Sequence, residues 1–323
     1  MPRARGRRPP PGERAARRRN QRVRRRRLTL LGACLAALAA GVVVVVLAGG
    51  SSHAHAHSRV KLSTAAVRRG NGAEHGARGA TATRASASRD GESPEIRRLI
   101  ALGKPIYCAG RRGDEVALTF DDGPGPYTRL MLAKLHKHGV RATFFVVGRN
   151  IPLLPDAPRQ ERAIGAVGDH TFTHPLLTAI AAGQAERQIV KTQRALERSS
   201  GGRVFLFRPP YGGHDATVDS IVRSHGLLEI LWTVDSADSL GADYAQIERN
   251  VIAGLHPGAI ILMHENHGQT IRAMLAIFAA LQRRHLHAVS VPQLLTDDPP
   301  SADQLSGTGG GCGVNPSSGL SGG

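Results

Sequence analysis

The sequence predicts an α/β fold: a parallel sheet with covering helices, closed or nearly closed as a barrel. Two observations predict it. From about Ile106 to Thr296, short apolar runs alternate with stretches whose apolar residues recur at helical spacing. Strands alternating with helices of that length form parallel βαβ units. The unusual polar residues also fall directly after the apolar runs, where such folds carry their sites.

Val116–Phe120 reads as a buried strand, broken by Gly123 and Pro124. Leu130, Leu132 and Leu135 mark a helix ending at Gly139, and Ala142–Val147 is the next strand. Ala185, Ile189 and Leu196 share one face of a helix over 184–199, stopped by Gly201-Gly202. Val204–Phe207 is a strand, and Val218, Ile221 and Val222 belong to a helix ended by Gly226. Leu227–Val234 reads as one strand. Ile247 and Val251, a turn apart, mark a helix, and Gly258 precedes the strand Ala259–Met263. Ile271, Met274, Leu275, Phe278 and Leu281 form the clearest helical stripe, and Ala288–Val291 is a last strand.

Three segments of different composition come first. Residues 1–27 are Arg-rich and read as a basic cytoplasmic tail. Residues 28–48 are almost wholly apolar, and about 20 such residues cross a bilayer core. Arg24–Arg27 just before them place the N-terminus inside and the remainder outside. A secreted protein cleaved near Ala54-His55-Ala56 is the alternative, but the long basic segment and the distance of that site from the apolar run favour an uncleaved anchor. Residues 49–105, rich in Ala, Gly, Ser, His and Arg, read as a flexible tether. Within it His53-Ala54-His55-Ala56-His57 reads as solvated rather than metal-binding. Residues 297–323 read as a loose tail.

Charge follows the same division. Of the net +18, residues 1–27 supply about +12 and residues 51–100 about +5, leaving about +1 for 101–323. A nucleic-acid partner is therefore not expected for the folded region. Cys34, Cys108 and Cys312 have no CxxC spacing, which argues against a thiolate metal site. Cys108 and Cys312 flank the folded region and can pair in an oxidising compartment, anchoring the tail.

The chemistry gathers at four predicted strand ends: Asp121-Asp122, Arg208-Pro209-Pro210-Tyr211, Asp235 with Asp238, and His264. Adjacent carboxylates repel unless a cation, a shared proton or an arginine offsets them; alone, Asp-Asp-Gly-Pro is equally good turn chemistry. His170 and His174 can reach one metal if their segment is helical or tightly turned. With one carboxylate they make a His/His/Asp set with open positions, suited to Zn²⁺ or another divalent transition metal such as Co²⁺. These parts suit metal-assisted hydrolysis: one Asp on the metal, its neighbour held charged by Arg208 as base, and His264 as acid beside an Asp.

In this order, Thr119-Phe120-Asp121-Asp122-Gly123-Pro124, His170-Thr171-x-x-His174, Arg208-Pro209-Pro210-Tyr211, Asp235-Ser236-Ala237-Asp238 and Leu262-Met263-His264 resemble the five motifs of the polysaccharide deacetylases of carbohydrate esterase family 4 (the NodB homology domain), over residues 106–296. The resemblance implies a distorted (β/α) barrel of about seven parallel strands. It implies Asp121 as base, Asp122, His170 and His174 as metal ligands, and Arg208 steadying Asp121. It further implies His264 as acid tuned by Asp238, the Tyr211 amide at the oxyanion, and Leu262 in the acetyl-methyl pocket. Two departures stand out. Ser239 occupies the position after the fourth motif's second Asp, where the family usually has Trp, and the stretch from Gly148 to His170 is short and Pro-rich, predicting a reduced βα unit. The expected function is metal-dependent deacetylation of an N-acetylated polysaccharide such as peptidoglycan or a chitin-like polymer. An O-acetyl esterase and a non-catalytic glycan-binding domain are the alternatives.

Overall fold

The computed structural model describes residues 91–306 and Cys312. The expected basic tail, the membrane span 28–48, most of the tether and the His53–His57 run lie outside the described residues. Among the described residues no helix is long and apolar enough to cross a membrane.

Eight strands pair in parallel: β1 (Glu115–Gly123), β2 (Thr143–Val146), β3 (Ala166–Asp169), β4 (Leu206–Phe207), β5 (Leu228–Glu229), β6 (Val234–Asp235), β7 (Ile260–His264) and β8 (His287–Val289). Seven follow the order β5-β4-β3-β2-β1-β7-β6, and β8 pairs with the start of β1. The sheet curls as an incomplete barrel. Across its gap, Ile106 bridges Ile230 beyond β5 and Cys108 bridges Ala259 before β7, so one short segment spans both sides. The helices are α1 (Pro94–Leu102), α2 (Thr128–His138), α3 (Ala157–Ile164), α4 (Ala182–Ser200), α5 (Ala216–Ser224), α6 (Tyr244–Gly254), α7 (Gly268–Arg283) and α8 (Val291–Asp297).

Strand alternation sets the layers. Side chains along a strand point to opposite faces in turn. On β1, Val116, Leu118 and Phe120 join a core cluster with Met131, Leu135, Ile247, Met274 and Phe278 of the covering helices. Ala117 belongs to the cluster on the other face, with Phe145, Ile260 and Leu262. Thr119 and Asp121 share the face of Ala117, so the alternation sends Asp121 inward, opposite His264 in the register with β7.

The structure departs from expectation in five places. First, α1 lies within the expected tether: Ser93 caps it by accepting from Ile96 N, Pro94 starts it, Gly103 ends it at φ 63°, and Ile96 and Leu99 are buried. Second, Leu227–Val234 is two strands at opposite edges of the sheet, joined by Ile230–Thr233. A continuous apolar run carries no signal for where pairing changes partner. Third, Gly148–His170 holds a complete if small unit: a 3₁₀ turn, α3, and the strand β3, which the motif reading lacked. Gly168 is required there, because a Cβ would sit 2.6 Å from the Phe145 ring. Fourth, residues 298–306 are tied down rather than loose. Asp298 accepts from Arg112 N and Nε (2.6 and 2.8 Å), and Gln304 Nε2 donates to Ala109 O (2.8 Å). Cys312 is disulfide-bonded to Cys108. Fifth, Leu130 and Leu275, read as part of apolar stripes, are exposed, the buried positions being Met131, Leu132 and Leu135, and Ile271, Met274, Phe278 and Leu281.

Candidate active site

By alternation Asp122 should point away from Asp121, toward the covering helices. A bulge prevents this. The β1–β2 register slips between Asp121 and Gly123, and Asp122 takes φ 70°, in the left-handed region. The extra residue turns Asp122 toward the rim. Its carbonyl accepts from Asn150 Nδ2 (3.0 Å) and its Oδ2 from Asn266 Nδ2 (3.4 Å).

His170 and His174 follow β3 in a tight turn, not a helix. Thr171 and His174 are both left-handed, at φ 64° and 62°. Asp169 Oδ1 accepts from Thr171 N (2.7 Å), and Gln188 Oε1 accepts from Phe172 N and Thr173 N (3.0 and 2.8 Å). The turn brings His170 Nε2 and His174 Nε2 to 3.2 Å, with Asp122 Oδ1 3.8 Å from the first and 3.3 Å from the second. Donors about 2.0–2.1 Å from a tetrahedral metal lie roughly 3.4 Å apart. The triangle has that size.

Protonation fits as well. His170 Nδ1 lies 2.7 Å from Arg208 O. A carbonyl oxygen only accepts, so Nδ1 donates, and Nε2 is the nitrogen turned to the triangle. His174 is lowered to about 4 by burial and by the nearby His170, which leaves it neutral at pH 7. Burial would raise Asp122, but the three neighbouring imidazoles outweigh it in acid, where they carry protons, and hold its carboxyl below the usual range. Two imidazoles and a carboxylate are the donor set a divalent transition metal takes.

Asp121 is 2% exposed, and Arg208 is wholly buried. Arg208 Nη1 donates to Asp121 Oδ1 (2.8 Å) and to Thr119 Oγ1 (2.7 Å), while Nε and Nη2 donate to the carbonyls of Ile230 and Leu231 (3.0 and 3.2 Å). Its guanidinium lies 4.2 Å from the centre of the Phe145 ring. Burial lowers the Arg208 pKa and Asp121 opposes that; the group stays charged at neutral pH. Asp121 Oδ2 points at His170 Nε2, 3.6 Å away.

The opposite rim holds Asp238 and His264. Ala237 at φ 60° turns the chain so that Asp238 is buried. Its Oδ1 accepts from His264 Nδ1 (2.7 Å) and Ser239 N (2.8 Å), and its Oδ2 from His264 N (2.7 Å) and Thr270 Oγ1 (2.6 Å). Burial works to lower His264, but the Asp238 bond and charge, with Asp121 and Asp122, raise it to about 9. Asp238 is lowered: its burial is outweighed by His264 and Thr270. Asp235, raised by burial, accepts from Ala237 N (2.7 Å) and shapes the turn.

All ten residues singled out from the sequence, Asp235 included, lie in or beside this rim. Leu262 is buried on β7, in register with Asp235. Tyr211 is left-handed (φ 62°), with its ring exposed and 4.7 Å from that of His174. Ser239 is exposed, and Leu240 beside it is 82% exposed, so the short 3₁₀ turn offers solvent an aliphatic side chain where the family pattern has Trp one residue earlier. Sequence reasoning missed the supporting hydrogen bonders: Thr119, Gln188, Asn266 and Thr270. Thr119 and Asn266 lie within two residues of Asp121 and His264; Gln188 and Thr270 sit on helices and left no signal.

A family model described as polysaccharide deacetylase matches residues 109–230. The chain is 33% identical over 186 residues to a peptidoglycan-N-acetylglucosamine deacetylase of Bacillus cereus, covering 56% of this chain and 68% of that protein. It is 35% identical over 213 residues to a chitooligosaccharide deacetylase of Rhizobium leguminosarum bv. trifolii, covering 61% and 99%. Among solved structures, a family 4 carbohydrate esterase from Streptomyces lividans in complex with acetate aligns with a TM-score of 0.54 at 36% identity, over 60% of this chain and 100% of that one.

Proposed function

We propose, on the premise that this chain belongs to the polysaccharide deacetylase family and is a hydrolase, that it removes acetyl groups from an N-acetylated polysaccharide and releases acetate. Peptidoglycan is the favoured polymer. The Bacillus cereus relative is named for it, and an anchor at 28–48 would hold the domain beside a cell wall. The Cys108–Cys312 disulfide supports an extracytoplasmic domain, since such bonds persist in oxidising compartments. Protease added outside intact cells should then digest the domain; protection would overturn that placement.

The observation that carries the reading is the donor triangle with a carboxylate beside it that an arginine already neutralises. Asp122, His170 and His174 would hold a divalent cation, Zn²⁺ being favoured by two imidazoles and one carboxylate. When bound, such an ion polarises the acetyl carbonyl and acidifies a water. Asp121 takes the water's proton on Oδ2, its Oδ1 being engaged by Arg208. The Tyr211 amide would face the oxyanion. His264 delivers a proton to the departing amine, and Asp238 keeps that proton available. Leu262 offers an apolar wall for the acetyl methyl.

Acetate release from N-acetylglucosamine oligomers and from peptidoglycan, with and without added Zn²⁺ or Co²⁺, tests the reading. Asp121→Asn should keep the metal and lose turnover. Metal-loaded protein that binds acetylated glycans without releasing acetate would favour a non-catalytic glycan-binding domain.

A further inference from the structure

A second cluster of donors lies outside the rim described above. His214 follows the Tyr211 turn, Asp219 is on α5, and Glu229 ends β5. His214 Nδ1 lies 3.0 Å from Asp219 Oδ1 and 3.7 Å from Glu229 Oε1, and the donor atoms of all three residues lie within 4.8 Å of one another.

Glu229 is the anomaly. It is 4% exposed, and no N–H or hydroxyl donor reaches either carboxylate oxygen; a proton taken up there is shared with Asp219. A buried carboxylate left so is costly. Among the described residues, no Lys or Arg pairs with Glu229 or Asp219; His214 is the one basic side chain that reaches either. Burial and the nearby Asp219 and Asp215 push Glu229 up to about 8, with His214 opposing. Asp121 meets the same problem with a buried guanidinium, and this pair has none.

We infer that His214, Asp219 and Glu229 form a second divalent-cation site, taking a transition metal of the zinc type. The separations of 3.0 and 3.7 Å bracket the roughly 3.4 Å expected between ligands of a tetrahedral ion. With Nδ1 on the ion, Nε2–H faces Tyr107 Oη at 3.3 Å, the outer-shell acceptor that a metal-bound histidine ordinarily has. Asp219 and His214 are partly exposed, which leaves room for water to complete the shell. The ion would brace the strand end that supports Arg208. Glu229 is in register with Phe207, its carbonyl accepts from Ile106 N, and the next carbonyl, Ile230 O, accepts from Arg208 Nε.

The competing account is a plain ion pair, with His214 protonated between Asp219 and a neutral Glu229. Zinc titration of the chelator-stripped full chain separates the two. Wild type should bind one equivalent more than Glu229→Gln and one more than His174→Ala, and the double variant should lose both. The tether histidines contribute equally to all four proteins. If circular dichroism shows that Glu229→Gln does not fold, His214→Gln, in a half-exposed loop, takes its place with the same expected loss. Unchanged stoichiometry in the folded variant overturns the site. Zinc-edge anomalous scattering from wild-type crystals needs no variant. A peak amid the three side chains supports the proposal; a peak at His170 and His174 alone overturns it.

Discussion

The two halves of the rim treat their carboxylates in opposite ways. Asp238 accepts four hydrogen bonds, two at each oxygen. Asp122 has one long bond from Asn266 at Oδ2, and its Oδ1 faces two imidazole nitrogens. A saturated carboxylate can only orient its neighbour, whereas one with an open oxygen among lone pairs is arranged for a cation. The backbone differs in parallel. Asp122, Thr171, His174 and Tyr211 all take left-handed torsions on the unsaturated side, against Ala237 alone on the other. Such torsions cost of order 1–3 kcal/mol each, and the half that holds Asp122 concentrates them.

The comparison breaks first at His174. His174→Ala should lose one equivalent of metal and cut acetate release by roughly three orders of magnitude, the scale of several kcal/mol of lost charge stabilisation. Metal analysis and a fixed-time acetate assay check both. Arg208→Met leaves Asp121 as an unpaired buried charge, and denaturant unfolding should show a loss of about 3–5 kcal/mol. A smaller loss would mean that Asp121 escapes by taking up a proton.

Asp238→Asn tests the saturated half. Turnover should fall about 10²-fold with metal content intact, and the His264 pKa should drop from about 9; NMR titration of the metal-free protein reads it. Because folding raises His264 above its unfolded value of about 6.5, its stabilising contribution is complete below that pH and is lost as pH rises through about 9. Metal-free wild type should therefore weaken over that window, and Asp238→Asn should not share the trend. The smallest effect belongs to Asn266→Ala, which should weaken metal binding by about tenfold.

Most of the site was legible because its residues follow strands, and strands announce themselves by apolar runs. Asp121, Arg208 and His264 needed only that and alternation. Asp122 did not follow from alternation: the bulge that turns it depends on a left-handed torsion at a non-glycine residue, which no spacing encodes. The same holds for the His170–His174 turn, where helix and tight turn place imidazoles at the same sequence distance. In the fold, β4, β5 and β6 are two residues long, so the apolar runs marked their places but not their ends, nor the break between β5 and β6. The end of β5 is set by Ile106, which bonds Glu229 O and Leu231 N, a contact distant in sequence.

Arg208 carries an implication for how this protein can be dissected. Its guanidinium holds Asp121, while its own carbonyl holds the Nδ1 proton of His170. Substitution deletes the first and leaves the second, because every amino acid supplies a carbonyl. A mutational scan would therefore score Arg208 as a partner of Asp121 and record nothing of its hold on the His170 tautomer. Half of what this residue does is written in the main chain and is invisible to point mutagenesis.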